Sequence, residues 1–197
     1  MMKKIIVLLS VVGFLSVFAN AGEIKVSQLA VLAEKIGADW SGPTGLVVDD
    51  IDAPPTLGKD MADVIAGLQK QMKPLGVKGT ADFTYRKKSD PVQQVTLRVF
   101  AFKTEEQSKQ WMKTKYQFPG WEKKYKKIED KDLTGFDSLE MRKRIVAVGA
   151  LWITAGTIAE NDDHLKILGL LLEQIKQQKP QAEPTSAGDV LKAAPEK

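Results

Sequence analysis

Residues 79–102 read GTADFTYRKKSDPVQQVTLRVFAF. Phe83 and Tyr85 alternate with Asp82, Thr84 and Arg86, and after Ser89-Asp90-Pro91 the chain sets Val95, Leu97, Val99 and Ala101 on one face. Period-two alternation on both sides of a turn signal marks a β-hairpin with one buried face. The second face opens with Thr96 and Arg98 but closes with Phe100 and Phe102, so that end needs apolar cover as well. Thr104-Glu105-Glu106-Gln107 then forms a capping box. It predicts a helix to about Gln117 that buries Trp111, Met112 and Tyr116.

Further along, the plan recurs. Ser138 to Val148 and Leu151 to Ile158 read as two strands about a turn at Gly149 and Ala150. Asn161 caps a helix through Leu165, Leu168, Leu172 and Ile175, with Asp162 and Asp163 at the positive end of its dipole. Tyr85-Arg86-Lys87-Lys88 matches Met141-Arg142-Lys143-Arg144 at an offset of 56, and the cap Thr104 matches Asn161 at 57. The expected fold is α+β: two ββα units form a four-stranded antiparallel sheet with their helices on one face, and N-terminal helices partly cover the other. In architecture alone, such a duplication resembles the small exported sandwiches of the photosystem II PsbP type, and the likeness transfers no site.

Working outward, residues 22–78 read as an N-terminal helical part and 79–178 as the ββαββα part of one domain. Val26 to Ile36 places Leu29, Leu32, Ala33 and Ile36 on one helical face, with Ser27 as cap and Gly37 as stop. Gly42, Pro43, Gly45, Pro54 and Pro55 make a connector of residues 40–55, with a short strand at Leu46 to Val48. A helix is predicted from Leu57 to Met72. Residues 179–197, rich in Pro, Ala, Lys and Glu and without aromatics, read as a disordered tail.

Residues 1–21 carry an export signal. Lys3 and Lys4 precede an apolar run from Ile5 to Ala19, and Ala19-Asn20-Ala21 forms a cleavage pattern before Gly22. The run falls short of the about 20 residues that span a bilayer, and Gly149 and Gly156 break the later stretch from Ile145 to Ala159. The expected product is periplasmic or secreted, with no transmembrane span after the signal is removed. Its formal charge drops from +4 to +2 when Lys3 and Lys4 leave. Residues 22–65 hold 8 acidic and 3 basic side chains, whereas 103–144 hold 12 basic and 8 acidic, so the surface is dipolar.

Chemistry is limited by inventory. The 197 residues include no cysteine and one histidine, which excludes disulfides, thiolate nucleophiles and Cys-ligated metals and leaves little for a His-rich site. No Walker A, GxGxxG, G-x-S-x-G or HExxH pattern occurs. His164 reads as a polar residue of a first helical turn. Asp49, Asp50 and Asp52 lack the glycine and distal glutamate of a calcium loop and read as loop solvation. No metal site and no cofactor are expected.

One segment invites a partner. Phe118-Pro119-Gly120-Trp121-Glu122-Lys123-Lys124-Tyr125-Lys126-Lys127 interleaves two aromatics with four lysines. Trp121, Lys123, Lys124, Tyr125, Lys126 and Lys127 could grip an anion by charge and stacking, or form a surface helix with Trp121, Tyr125 and Ile128 turned inward. The expected function is an exported, non-enzymatic binding or accessory protein that touches an envelope protein, an anionic polysaccharide or a lipid headgroup. Nucleic acid is not an expected partner, because export separates the two. The alternative is a metal-independent periplasmic hydrolase built on carboxylates, which are plentiful but which no spacing pairs.

Overall fold

The computed structural model describes residues 24–54, 59–116, 118–130 and 133–178; the signal pattern at 1–21 and the tail at 179–197 lie outside the described residues. In chain order the strands are β1 (Trp40–Thr44), β2 (Val47–Val48), β3 (Val77–Lys87), β4 (Gln94–Phe102), β5 (Tyr125–Glu129), β6 (Thr134–Ser138), β7 (Lys143–Val148) and β8 (Leu151–Thr157). The helices are α1 (Ala33–Ile36), α2 (Lys59–Met72), α3 (Glu105–Tyr116) and α4 (Asp163–Gln178).

The quoted stretch forms the hairpin β3–β4, in register from Thr80 opposite Phe100 to Arg86 opposite Gln94. β4 then pairs antiparallel with β8, and β8 with β7. The chain extends this centre at both edges, giving one eight-stranded antiparallel sheet in the order β1-β3-β4-β8-β7-β6-β5, with β2 also on β3. The four-stranded sheet of two ββα units is therefore wrong in strand number and in layering. Antiparallel β3 and β7 would each leave an exposed ladder as outer strands, and such edges favour further pairing. Residues 40–44, read as part of a connector, supply β1, and the short strand expected at Leu46 to Val48 forms as β2; Trp40 and Val48 are buried there. Residues 125–138 supply the β5–β6 hairpin.

The layering differs as well. One face carries Phe83, Tyr85, Val95, Leu97, Val99, Val146, Ile153 and Ala155, all buried under Ile167, Leu168, Leu171 and Ile175 of α4. The N-terminal residues Val26, Leu29 and Ile36 join that same face. The other carries Phe100, Phe102, Phe136, Ile145 and Trp152, packed with Met112, Trp111 and Tyr116 of α3, Ile65 of α2 and Ile51. The helices that follow the two hairpins thus lie on opposite faces, so no two-fold axis relates the units. Phe100 and Phe102 supply the reason: they make the far face of the sheet apolar where α3 begins. α3 lays Trp111 and Met112 over them, and the Phe100 and Trp152 rings stack with centroids 5.0 Å apart.

Local chemistry fixes these elements. Thr104 and Gln107 bond reciprocally, each backbone N–H to the other's side-chain oxygen at 3.2 Å, which is the capping box. The buried Ser108 hydroxyl donates to Leu151 O at 3.2 Å and ties α3 to β8. Residues 26–36 break into a 3-10 turn at Val26–Leu29 and the single-turn α1, because the Ser27 N–H and hydroxyl both donate to Asp49 at 2.7 Å rather than capping one helix. Tyr85 is fully buried, accepts the Val31 N–H at 3.0 Å and stays a neutral phenol, its pKa pushed up to about 12 by burial.

Candidate functional site

Segment 118–127 is a turn and an edge strand, not a surface helix. Gly120 has φ 82°, a left-handed conformation that glycine adopts at little cost. It leads into a 3-10 turn at Trp121–Lys123, and β5 begins at Tyr125. β5 pairs with β6 alone and ends the sheet. The Leu139 N–H donates to Lys124 O at 2.8 Å, and the alternation of an antiparallel ladder turns the backbone polar groups of Tyr125 and Lys127 to the open side.

Period two also decides where the rings go. Trp121 and Tyr125 pack on the α3 face, whereas Ile128 packs on the α4 face. The helical alternative put all three on one side. Trp121 meets Phe136 edge-on at 5.1 Å between centroids, and Tyr125 meets Tyr116 edge-on at 5.2 Å. Tyr116 in turn stacks on Phe136 and Trp152. Both rings are half-buried anchors, so they are not open platforms for stacking a ligand. Lys123, Lys124, Lys126 and Lys127 are exposed, and no ion pair joins them to a carboxylate among the described residues.

The other singled-out residues are dispersed. Asp49 holds Ser27, Asp50 accepts the Asp52 N–H at 2.8 Å, and Asp52 pairs with Lys73 at 3.2 Å and Lys103 at 3.6 Å. The Lys73 ammonium holds the Asp52 carboxyl below its ordinary range. These carboxylates point to different partners, and no group of three metal-ligating side chains occurs among the described residues. Two cross-strand ion pairs escaped the sequence reading: Arg98 grips Asp82 at 2.7 and 2.9 Å, and Arg144 grips Asp137 at 2.6 and 2.8 Å. Only the register brings these partners opposite each other.

His164 does lie in the first turn of α4, where Asn161 accepts the Asp163 N–H at 3.2 Å. It is buried rather than surface-polar, because it belongs to the inward stripe His164, Ile167, Leu168, Leu171 and Ile175. The stripe first read, through Leu165 and Leu172, is rotated from this one. Burial lowers the His164 pKa below its ordinary 6.5, with Asp162 opposing. The unfolded chain takes up that proton first, so protonation favours unfolding. The contribution is fully present above pH 6.5 and lost as pH falls below it. Thermal melts from pH 7.5 to 5.5 should show wild type losing stability faster than His164→Gln; parallel curves would contradict this burial.

No family model matches the chain, and no curated protein matches it. Among solved structures it is similar to the extracellular domain of PknH from Mycobacterium tuberculosis. That match has a TM-score of 0.45 and 11% identity over 79% of this chain and 100% of that one. No helix among the described residues is long and apolar enough to cross a membrane.

Proposed function

We propose that this chain is an exported binding or accessory protein of the cell envelope that acts by contact, and that Lys123, Lys124, Lys126 and Lys127 meet an anionic envelope component. One observation carries the reading: four exposed ammonium groups stand on a turn and an open edge strand whose two rings are rooted in the core. Anchored rings hold the lysines in place, so less conformational freedom is lost on binding than a mobile tail would lose. Export rests on the leader pattern at 1–21. Edge lysines also discourage sheet-to-sheet pairing, but two of these four precede the strand, where they protect no ladder.

The chemistry of the remaining groups supports contact over turnover. Asp82 and Asp137 are each clasped by a guanidinium, Asp52 by two lysines, and the single imidazole is buried on the inward stripe of α4. A carboxylate hydrolase needs one acid and one base facing a shared cleft, and these carboxylates are committed elsewhere.

The test is binding to lipopolysaccharide and to immobilised heparin. Retention is expected at 0.1 M salt and loss near 1 M, as the screening length shrinks from about 10 Å to about 3 Å. Replacing all four lysines by alanine should abolish retention without altering the melting temperature. Unchanged retention would remove the reading.

A further inference from the structure

β3, β6 and β8 end, and β1, β4, β5 and β7 begin, at the same end of the sheet. Five connections therefore lie side by side there. Their tips hold large apolar side chains in solvent: Val92 and Ile158 are each 71% exposed, Leu139 59% and Met141 55%. These are the four most exposed large hydrophobics of the described residues. Hydrogen bonds join the connections into one rim. The Thr157 N–H donates to Arg142 O at 3.0 Å and its hydroxyl to Gln94 O at 2.9 Å; Asn161 reaches Gln93 at 3.2 Å, and the Leu139 N–H reaches Lys124 O at 2.8 Å.

Cations share this rim. Lys123 and Lys124 precede β5, Arg142 adjoins Met141, and Lys88 follows β3. Asp90 is turned into its own loop, accepting from the Val92 N–H and the Gln93 side chain, and Asp137 and Asp163 are paired with Arg144 and Lys87. Over the whole rim Asp39, Asp90, Glu122, Glu140, Glu160 and Asp162 equal in number the bases Lys88, Lys123, Lys124, Lys126, Arg142 and Lys143; the basic excess is local to the connections that flank β5, β6 and β7, where Lys123, Lys124, Lys126, Arg142 and Lys143 stand with Glu122 and Glu140.

We propose that this rim docks on an anionic phospholipid surface. Leu139, Met141 and Ile158 enter the boundary between headgroups and acyl chains, while Lys123, Lys124 and Arg142 meet lipid phosphates. The inference rests on the basic-contact reading above and names its partner. Spacing favours a bilayer over a protein. Strands lie about 4.8 Å apart, so the tips are single apolar groups strung along a rim and divided by polar ones. A protein interface needs a contiguous apolar centre, whereas a bilayer interface receives each side chain separately and adds attraction for cations.

The test uses the exported form beginning at Gly22 and two vesicle types, phosphatidylethanolamine with phosphatidylglycerol, and phosphatidylcholine alone. Co-sedimentation with the first and not the second is expected at 0.1 M salt. A combined Val92→Ser, Leu139→Ser, Met141→Ser and Ile158→Ser variant should lose at least tenfold in vesicle affinity yet elute from heparin at the wild-type salt concentration. Ile158→Trp should add an emission that shifts to the blue on the anionic vesicles. Failure of the wild type to sediment, equal binding by the serine variant, or an unmoved emission overturns the proposal. With heparin retention intact, such a failure leaves the basic-contact reading standing; loss of both brings down the two together. A serine variant that changes oligomeric state but not vesicle binding assigns the rim to a second copy, and that also overturns the proposal.

Discussion

Trp152→Ala is expected to lower the melting temperature by roughly 6–20 °C. Trp152 is 5% exposed and stands at the centre of the α3 face, stacked on Phe100 at 5.0 Å, with Trp111 edge-on at 6.3 Å and Tyr116 stacked at 6.3 Å. Removing a buried indole costs about 3–5 kcal/mol, and for a chain of this length each kcal/mol moves the midpoint by roughly 2–4 °C. The indole N–H is buried without a hydrogen-bond partner. Trp152→Phe keeps a ring and drops that unpaired donor, so it should recover most of the loss. A drop of less than about 3 °C for alanine would contradict this packing, since even the smallest of these costs exceeds it.

Gly45→Ala is expected to be comparably damaging, although it adds only one methyl group. Gly45 has φ 143°, and a Cβ there would sit 1.8 Å from the Asp82 carbonyl oxygen. That oxygen belongs to the middle of β3, whose register is fixed by pairing with Arg98 of β4, so it cannot retreat. The following Leu46 carbonyl accepts the Asp82 N–H at 2.8 Å. Alanine must therefore push residues 45–48 away, uncovering Val48 and adding backbone strain of about 1–3 kcal/mol. Gly149→Ala is the control: φ is 54° with nothing within 4 Å of the added atom, and about 1–2 kcal/mol is its whole expected cost. Melting curves and amide exchange at Val47 and Val48 read the difference. Equal losses at the two glycines would refute the close approach at Gly45.

The sequence was legible where one period dominated. Alternation gave the β3–β4 hairpin, its buried face and the turn at Gly149, and the Thr104 box gave the start of α3. It failed where an element is a strand only because a neighbour needs an edge. Nothing local in Trp40–Thr44 or Tyr125–Glu129 outweighs their glycines, prolines or lysines; they are extended because β3 and β6 offer ladders to complete. The placement of α3 was readable in principle from Phe100 and Phe102, which announced an apolar second face. What hid it was the assumption that both later helices share a side. At the candidate site, the lysines were visible as charges but their geometry was not. Spacings of four and three between Trp121, Tyr125 and Ile128 suit a helix, and only the β6 partner decides otherwise. The Arg98–Asp82 and Arg144–Asp137 clasps depend on register, which residue types alone do not specify.

Retention by the four lysines depends on their position rather than on total charge, and salt elution from immobilised heparin separates the two. One variant replaces Lys123, Lys124, Lys126 and Lys127 by alanine; a second, of identical net charge, replaces Lys35, Lys70, Lys109 and Lys113, which lie on α1, α2 and α3. The first should elute well before wild type and the second with it. Equal shifts would show that retention reads overall charge, and the turn and edge strand at residues 121–127 would not be the binding surface.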